Sequence, residues 1–145
     1  NRDELKLVPP DVRSFWADRV RSASERIHDD AWAIVERGTA NRMALVRALD
    51  AEGATLLAGT DTPNPFVVPG VSMHRELELL VRAGLTPKEA LATATREAAI
   101  SVGEGGEWGT IEAGKRADLV LLDANPLESI GATARIVRVM VRGRF

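Results

Sequence analysis

Two side chains in this 145-residue chain stand where chemistry is done, Asp61 and His74. Asp61 follows the apolar run Leu56-Leu57-Ala58, with only Gly59 and Thr60 between. A carboxylate there can bind a hard or borderline cation, accept a proton from a bound water, or cap the turn that follows. Taken locally, the stretch favours the cap. His74 lies near the start of the next helix, beyond a proline-rich loop, and could face the same cleft. A lone histidine is more often a structural or exposed residue than a ligand. His28, beside Asp29 and Asp30 in a charged helix, reads as a surface residue.

The rest of the catalytic vocabulary is missing. Catalytic zinc typically takes three protein ligands and keeps one open position. The chain has 2 histidines and no cysteine, and neither an H-x-H nor an H-E-x-x-H pair. There is no G-x-S-x-G nucleophile elbow. The glycine cluster Gly103-Glu104-Gly105-Gly106 precedes a strand pattern, not a helix, so it makes a poor phosphate cradle. On its own the chain lacks a complete catalytic constellation.

The elements that must position Asp61 and His74 follow from periodicity and punctuation. Pro9-Pro10 predicts an extended stretch from Leu5 to Pro10. A helical pattern runs from Asp11, with Phe15, Val20, Ile27, Trp32 and Val35 as apolar points and Gly38 as its stop. A second helix is expected from about Thr39 to Glu52, striped by Met43, Val46 and Leu49 and ended by Gly53. A short buried strand, Thr55 to Ala58, follows at once. Helix, glycine and buried strand form the αβ half of a parallel α/β unit, and ligands of such folds bind at the carboxyl ends of the strands.

Beyond Asp61, Pro63, Pro65 and Pro69 stiffen a loop suited either to function or to plain connection. Met73, Leu77, Leu80 and Val81 mark one face of a helix that stops at Gly84. Thr86-Pro87-Lys88-Glu89 is a capping box, and Leu91, Ala94, Thr95 and Ala98 form the buried face of the helix it opens. After Gly103 the texture becomes β. Ile111 and Leu119 to Leu122 are strand-like, Asn125-Pro126-Leu127 is a turn, and Ile136 to Arg142 is a further strand. Val137, Val139 and Val141 share one face of that strand.

Composition bounds the partners. Hydrophobic residues make up 45% and charged residues 28%, as in an ordinary soluble domain. A net charge of −2, with arginines scattered among glutamates, gives no field for nucleic acid or an anionic membrane. No apolar run approaches the roughly 20 residues of a membrane span. The first residue is Asn1, with no signal-peptide pattern after it, and Val141 to Phe145 reads as a strand entering a turn. Both ends look cut, so the expectation is a piece of a longer protein, placed in the cytoplasm.

Several motifs in order carry a family resemblance. Leu56-Leu57-Ala58-Gly59-Thr60-Asp61 resembles the eighth barrel strand of the metal-dependent amidohydrolase superfamily. Gly70, then His74, Glu76 and Leu77, then Ala83-Gly84-Leu85-Thr86-Pro87 and Glu89-Ala90-Leu91, continued by Ala94-Thr95, are similar to its G…H-x-E-L…AGLTP-x-EAL segment. Gly109-Thr110-Ile111-Glu112-Ala113-Gly114-Lys115-Arg116-Ala117-Asp118-Leu119-Val120 is similar to its G-x-I-x-x-G-K-x-A-D-L-V signature. Asn125-Pro126-Leu127 and the closing Val139 to Arg144 also fit. The match covers about Arg42 to Phe145 and points to the imidazolonepropionase-like and Xaa-Pro-dipeptidase-like branch.

The resemblance implies an α/β fold, the C-terminal part of a (β/α)8 TIM barrel plus strands of a small composite β-sandwich. Residues 1–103 would be the barrel segment, with helices, strand eight and the final helices, and residues 104–145 the sandwich strands. It implies hydrolysis of a C–N bond, in an amide or cyclic amide, by a metal-activated water. Asp61 would be metal ligand and proton shuttle, and His74 would contact substrate. The cofactor would be a divalent metal, zinc, as one or two ions. The other ligands would lie outside this chain, because the family's H-x-H pair, its bridging lysine or glutamate and its two later histidines are absent here. Implied partners are a small amide or peptide-like substrate and the remainder of the parent chain, with no nucleic acid and no membrane; homo-oligomerisation stays open. Lys115 and Asp118 would be structural, Asp118 pinning the glycine turn through backbone N–H groups. The rival reading is a non-catalytic structural or interaction module in which Asp61 only caps a turn.

Overall fold

Pro10 sits at the first position of a helix, where its missing N–H leaves nothing unsatisfied. The structure, a computed structural model, describes residues 3–25 and 29–145; Ile27 and His28 lie outside them. Helix α1 spans Pro10–Ser24. The stretch before it, expected to be extended, contains a 3₁₀ turn over Asp3–Leu7, and Pro9 keeps the extended backbone that a following proline imposes. Helix α2 spans Asp29–Ala51 and passes through Gly38, which was expected to stop it. A mid-helix glycine costs about 1 kcal/mol, which a long helix packed on a neighbour absorbs. The effective stop is Gly53, at φ 73°.

Helix α3 spans Val71–Ala83 and ends at Gly84, whose φ of 127° only glycine adopts without strain. A second constraint acts at the same place. Arg47 of α2 donates from Nε to the Ala83 carbonyl at 3.0 Å, and a Cβ on Gly84 would meet that nitrogen at 2.8 Å. The guanidinium thus satisfies a helix C-terminal carbonyl and complements the helix dipole. The capping box forms as expected: Glu89 N–H donates to Thr86 Oγ1 at 3.3 Å, and Thr86 N–H donates to Glu89 Oε2 at 2.7 Å. The helix it opens is two helices, α4 over Pro87–Thr93 and α5 over Arg96–Ser101. Thr93 and Thr95 turn their hydroxyls back onto the carbonyls of Ala90 and Leu91, and Thr95 leaves helical geometry (φ −130°, ψ −88°). The buried residues are Ala90, Thr93 and Ala99, while Thr95 is exposed.

The principal core gathers Leu77 and Leu80 of α3, Leu85, Ala90 of α4, and Ile130, with Val46, Leu56 and Ala58 packed against it. Burying each of those leucines stabilises by about 1.5–3 kcal/mol. Ile130 comes from a 3₁₀ turn, Ile130–Ala134, so the β-rich end of the chain is joined to the helices by core packing. A second cluster holds Val8, Trp16 and Val68, with Phe66 against it; the Trp16 and Phe66 rings lie 5.8 Å apart. Through it α1 covers the proline loop.

Thr55 to Ala58, expected as a buried strand, forms no ladder among the described residues. It retains a strand's two-sidedness: Leu56 and Ala58 face the core, and Leu57 between them is 49% exposed. A strand's ladder needs a neighbouring strand, and among the described residues none pairs with this segment. The sheet that does form pairs β1, Leu119–Leu122, with β2, Ile136–Met140, antiparallel from Leu119↔Met140 to Leu122↔Ile136, with an irregularity at the Leu121/Leu122 step. Ile111, expected to be strand-like, is in neither strand and is exposed. Among the described residues no helix is long and apolar enough to cross a membrane.

Candidate functional site

Asp61 stands in the left-handed region, at φ 55°, past the end of Leu56–Ala58. Aspartate tolerates this conformation better than most residues. Backbone ties hold the segment on both sides. Ala58 N–H donates to the Thr93 carbonyl at 3.3 Å, and Gly59 N–H reaches Glu76 Oε1 of α3 at 3.4 Å. The Asp61 carbonyl accepts from Asn64 N–H at 3.1 Å, and Asp61 Oδ2 accepts from Asn64 Nδ2. Asp61 is exposed, and among the described residues nothing engages Oδ1. The carboxylate is therefore no cap for the backbone N–H groups that follow. Its partner is a side-chain amide.

The loop from Thr62 to Pro69 is tied to itself and to α1. Thr62 Oγ1 donates to the Val67 carbonyl at 3.2 Å, and Val67 N–H donates to the Asn64 carbonyl at 3.0 Å. Val68 is buried in the cluster with Trp16. Glu4 in the first 3₁₀ turn pairs with Arg75 of α3, which fastens the same cover from the other side.

His74 is half-buried on α3, and its Nδ1 lies 3.1 Å from Thr133 Oγ1. Thr133 has one hydroxyl proton, directed to the Ile130 carbonyl at 2.9 Å. The hydroxyl oxygen then accepts from Nδ1–H, and Nε2 takes no part in this contact. One side of the imidazole is thus committed to the β-rich end of the chain. Among the described residues no three His, Cys, Asp or Glu side chains converge as a metal-binding group.

The basic and acidic residues of the GKRADLV stretch are taken up structurally. Lys115 Nζ donates to the Gly105 carbonyl at 2.8 Å and to Thr110 Oγ1. Asp118 accepts from Arg142 N–H at 2.7 Å and from Arg116 Nε at 2.6 Å. The turn it pins is Arg142–Gly143, across the hairpin, and not the neighbouring Gly114. The Arg142 N–H, then the Arg116 side chain, hold its carboxyl below the ordinary carboxylate range.

A cavity of about 220 Å³ lies at the other end of the strand-like segment, lined by Asp50, Thr55, Leu56, Glu89 and Arg96 among others. It adjoins the entry of Thr55–Ala58, the wrong end for ligand binding in a parallel α/β fold. Two residues near the site escaped the sequence reading, Trp16 and Asn64, while Glu76 was read only as part of a motif. Trp16 was passed over for its exposed neighbour Phe15. Asn64 had a local signal, an Asp-x-x-Asn spacing across a proline turn.

The chain matches the Amidohydrolase family over residues 17–145. It belongs to that family. It is 41% identical over 96 residues to the imidazolonepropionase of Geobacillus sp. (strain WCH70), which covers 63% of this chain and 22% of that protein. It is 33% identical over 111 residues to the ochratoxinase of Aspergillus niger, covering 75% of this chain and 22% of the relative. The fold resembles a solved Xaa-Pro dipeptidase with bound methionine in its active site: TM-score 0.64 and 27% identity, over 70% of this chain and 24% of that one. The chain thus spans under a quarter of the length of these relatives.

Proposed function

We propose that this chain is the C-terminal part of a metal-dependent amidohydrolase that hydrolyses a C–N bond in an amide or cyclic amide. The observation that carries the reading is Asp61: an exposed carboxylate, held by Asn64 through one oxygen, at the carboxyl end of a segment with a strand's alternation. Membership of the family, with relatives named imidazolonepropionase and Xaa-Pro dipeptidase, supports a small cyclic-amide or peptide-like substrate.

Asp61 fits a divalent ion such as zinc in kind, because a carboxylate oxygen is a proper ligand and Oδ1 is unengaged among the described residues. In number it is one ligand of a set whose other members lie outside this chain. When bound, one or two such ions would acidify a water and polarise the scissile carbonyl. Asp61 would accept the proton of that water as its oxygen bonds to the amide carbon, then deliver it to the nitrogen as the C–N bond breaks. The products are a carboxylic acid and an amine. His74 would meet the substrate through Nε2, and the loop from Thr62 to Pro69 would shape the pocket.

Residues 1–103 would form the end of a (β/α)8 barrel and residues 104–145 the closing strands of a β-sandwich. The half-exposed valines Val120, Val137 and Val139 support this, since an isolated two-stranded hairpin is marginal in water. So does the outward Leu57, on the face opposite the helices, where the side-chain-filled interior of a barrel would lie.

A second reading rests on a specific observation, the lack of any convergent ligand group among the described residues. By itself the 145-residue chain would then be a non-catalytic module. Metal analysis separates the cases. The full-length parent should retain bound zinc, its Asp61→Ala variant should lose most of it, and the isolated chain should bind none stoichiometrically. Tight zinc and amidase activity in the isolated chain would contradict the proposal.

A further inference from the structure

Asp61 is gripped twice by one residue. Asn64 N–H donates to the Asp61 carbonyl at 3.1 Å, and Asn64 Nδ2 donates to Asp61 Oδ2 at 2.5 Å. An ionised carboxylate only accepts, so the amide must present its nitrogen. A hydrogen bond to a charged acceptor is about twice as strong as a neutral one. Together the two contacts set the left-handed backbone of Asp61 and the rotation of its carboxylate. Oδ2 is occupied, and among the described residues nothing engages Oδ1.

Asn64 is itself held. Its carbonyl accepts from Val67 N–H at 3.0 Å. The next residue, Val68, is buried against Trp16 and Val8, and Trp16 is only 4% exposed. The grip on Asp61 is thus referred to a buried apolar anchor on α1 and not to a free loop tip. A shell of this kind is what orients a metal-binding or proton-transferring carboxylate.

We infer that Asn64 is a positioning residue for Asp61, its side-chain amide fixing Oδ2 so that Oδ1 faces the reacting atoms. The inference rests on the reading of Asp61 given above. It goes beyond that reading by assigning the orienting role to a loop residue outside the strand. The plainer alternative is that Asn64 serves only the turn, where asparagine and aspartate are near-equivalents.

The full-length parent enzyme tests it, with zinc affinity read by chelator competition alongside kcat. Asn64→Asp keeps the turn chemistry and the backbone N–H but cannot donate to Asp61, and it sets a second negative charge against it. Asn64→Ala and Asn64→Asp should each weaken zinc binding by roughly 10- to 100-fold, Asp at least as much as Ala, while the metal-free thermal midpoint stays put. In an Asp61→Ala background the Asn64→Ala substitution should have no further effect on zinc affinity, a loss of additivity that a turn-only role would not produce. That cycle decides the matter even where Asn64→Asp fails to fold. Wild-type zinc affinity and turnover in Asn64→Ala, with both lost in Asp61→Ala, would overturn the positioning role alone. Retention of both in Asp61→Ala would overturn the reading beneath it.

Discussion

Asp118 shows how far a single residue can be read. Its place in Gly114-Lys115-Arg116-Ala117-Asp118 marks it as a structural acid that ties backbone N–H groups. Which N–H groups it ties is decided by the hairpin, which delivers Arg142 from 24 positions away. Asp61 was legible as an acid just past the end of a strand-like run; its donor Asn64 was passed over, although an Asp-x-x-Asn spacing across a proline turn marks it. Asp118 also makes a pH prediction. Its carboxyl is held below its ordinary value by Arg142 N–H and then by Arg116. A depressed folded-state pKa contributes stability that is present above the unfolded value, about pH 4, and is lost as pH falls through the lower folded value. Asp118→Asn in the parent enzyme should therefore lower the thermal midpoint at neutral pH. It should also make the midpoint fall less steeply with acid below about pH 4. A neutral-pH midpoint equal to wild type would show that the tie contributes nothing.

Elements written locally were legible, and elements completed from outside were not. The capping box at Thr86 and the stop at Gly84 depend on residues within a turn of each other, so both formed as read. Gly38 failed as a stop because the packing of α2 outweighs the propensity of one glycine. Thr55 to Ala58 kept the alternation of a strand and lacked the ladder, because hydrogen bonds across a sheet belong to its neighbours. Gly109 is the strongest element-level constraint. At φ 95°, its missing Cβ would sit 2.7 Å from Ala99 Cβ and 2.9 Å from the Thr95 carbonyl. The glycine-rich stretch thereby lies directly on α5. Gly109→Ala in the parent enzyme should destabilise by about 1–3 kcal/mol, through overpacking and an unfavourable φ together. Chemical denaturation measures this directly. An unchanged midpoint at unchanged slope would mean that the approach is looser than drawn.

At the scale of the whole molecule, the chain is short beside its relatives. It belongs to the amidohydrolase family and spans under a quarter of the length of the relatives compared. The molecule carries a two-stranded sheet with half-exposed valines and a strand-like segment whose Leu57 is 49% exposed. The family was legible because several motifs fall in order along the chain. The cover formed by α1 over the proline loop was not, because Trp16 and Phe66 meet only in three dimensions. The central claim is that Asp61 moves a proton during C–N hydrolysis, and the turnover of Asp61→Asn in the full-length parent tests it most directly. The amide keeps the size of the carboxylate and one oxygen donor but cannot take the proton of the attacking water. The account predicts a fall in kcat of about 10²- to 10⁴-fold with the thermal midpoint little changed. Near-normal turnover in Asp61→Asn would contradict it.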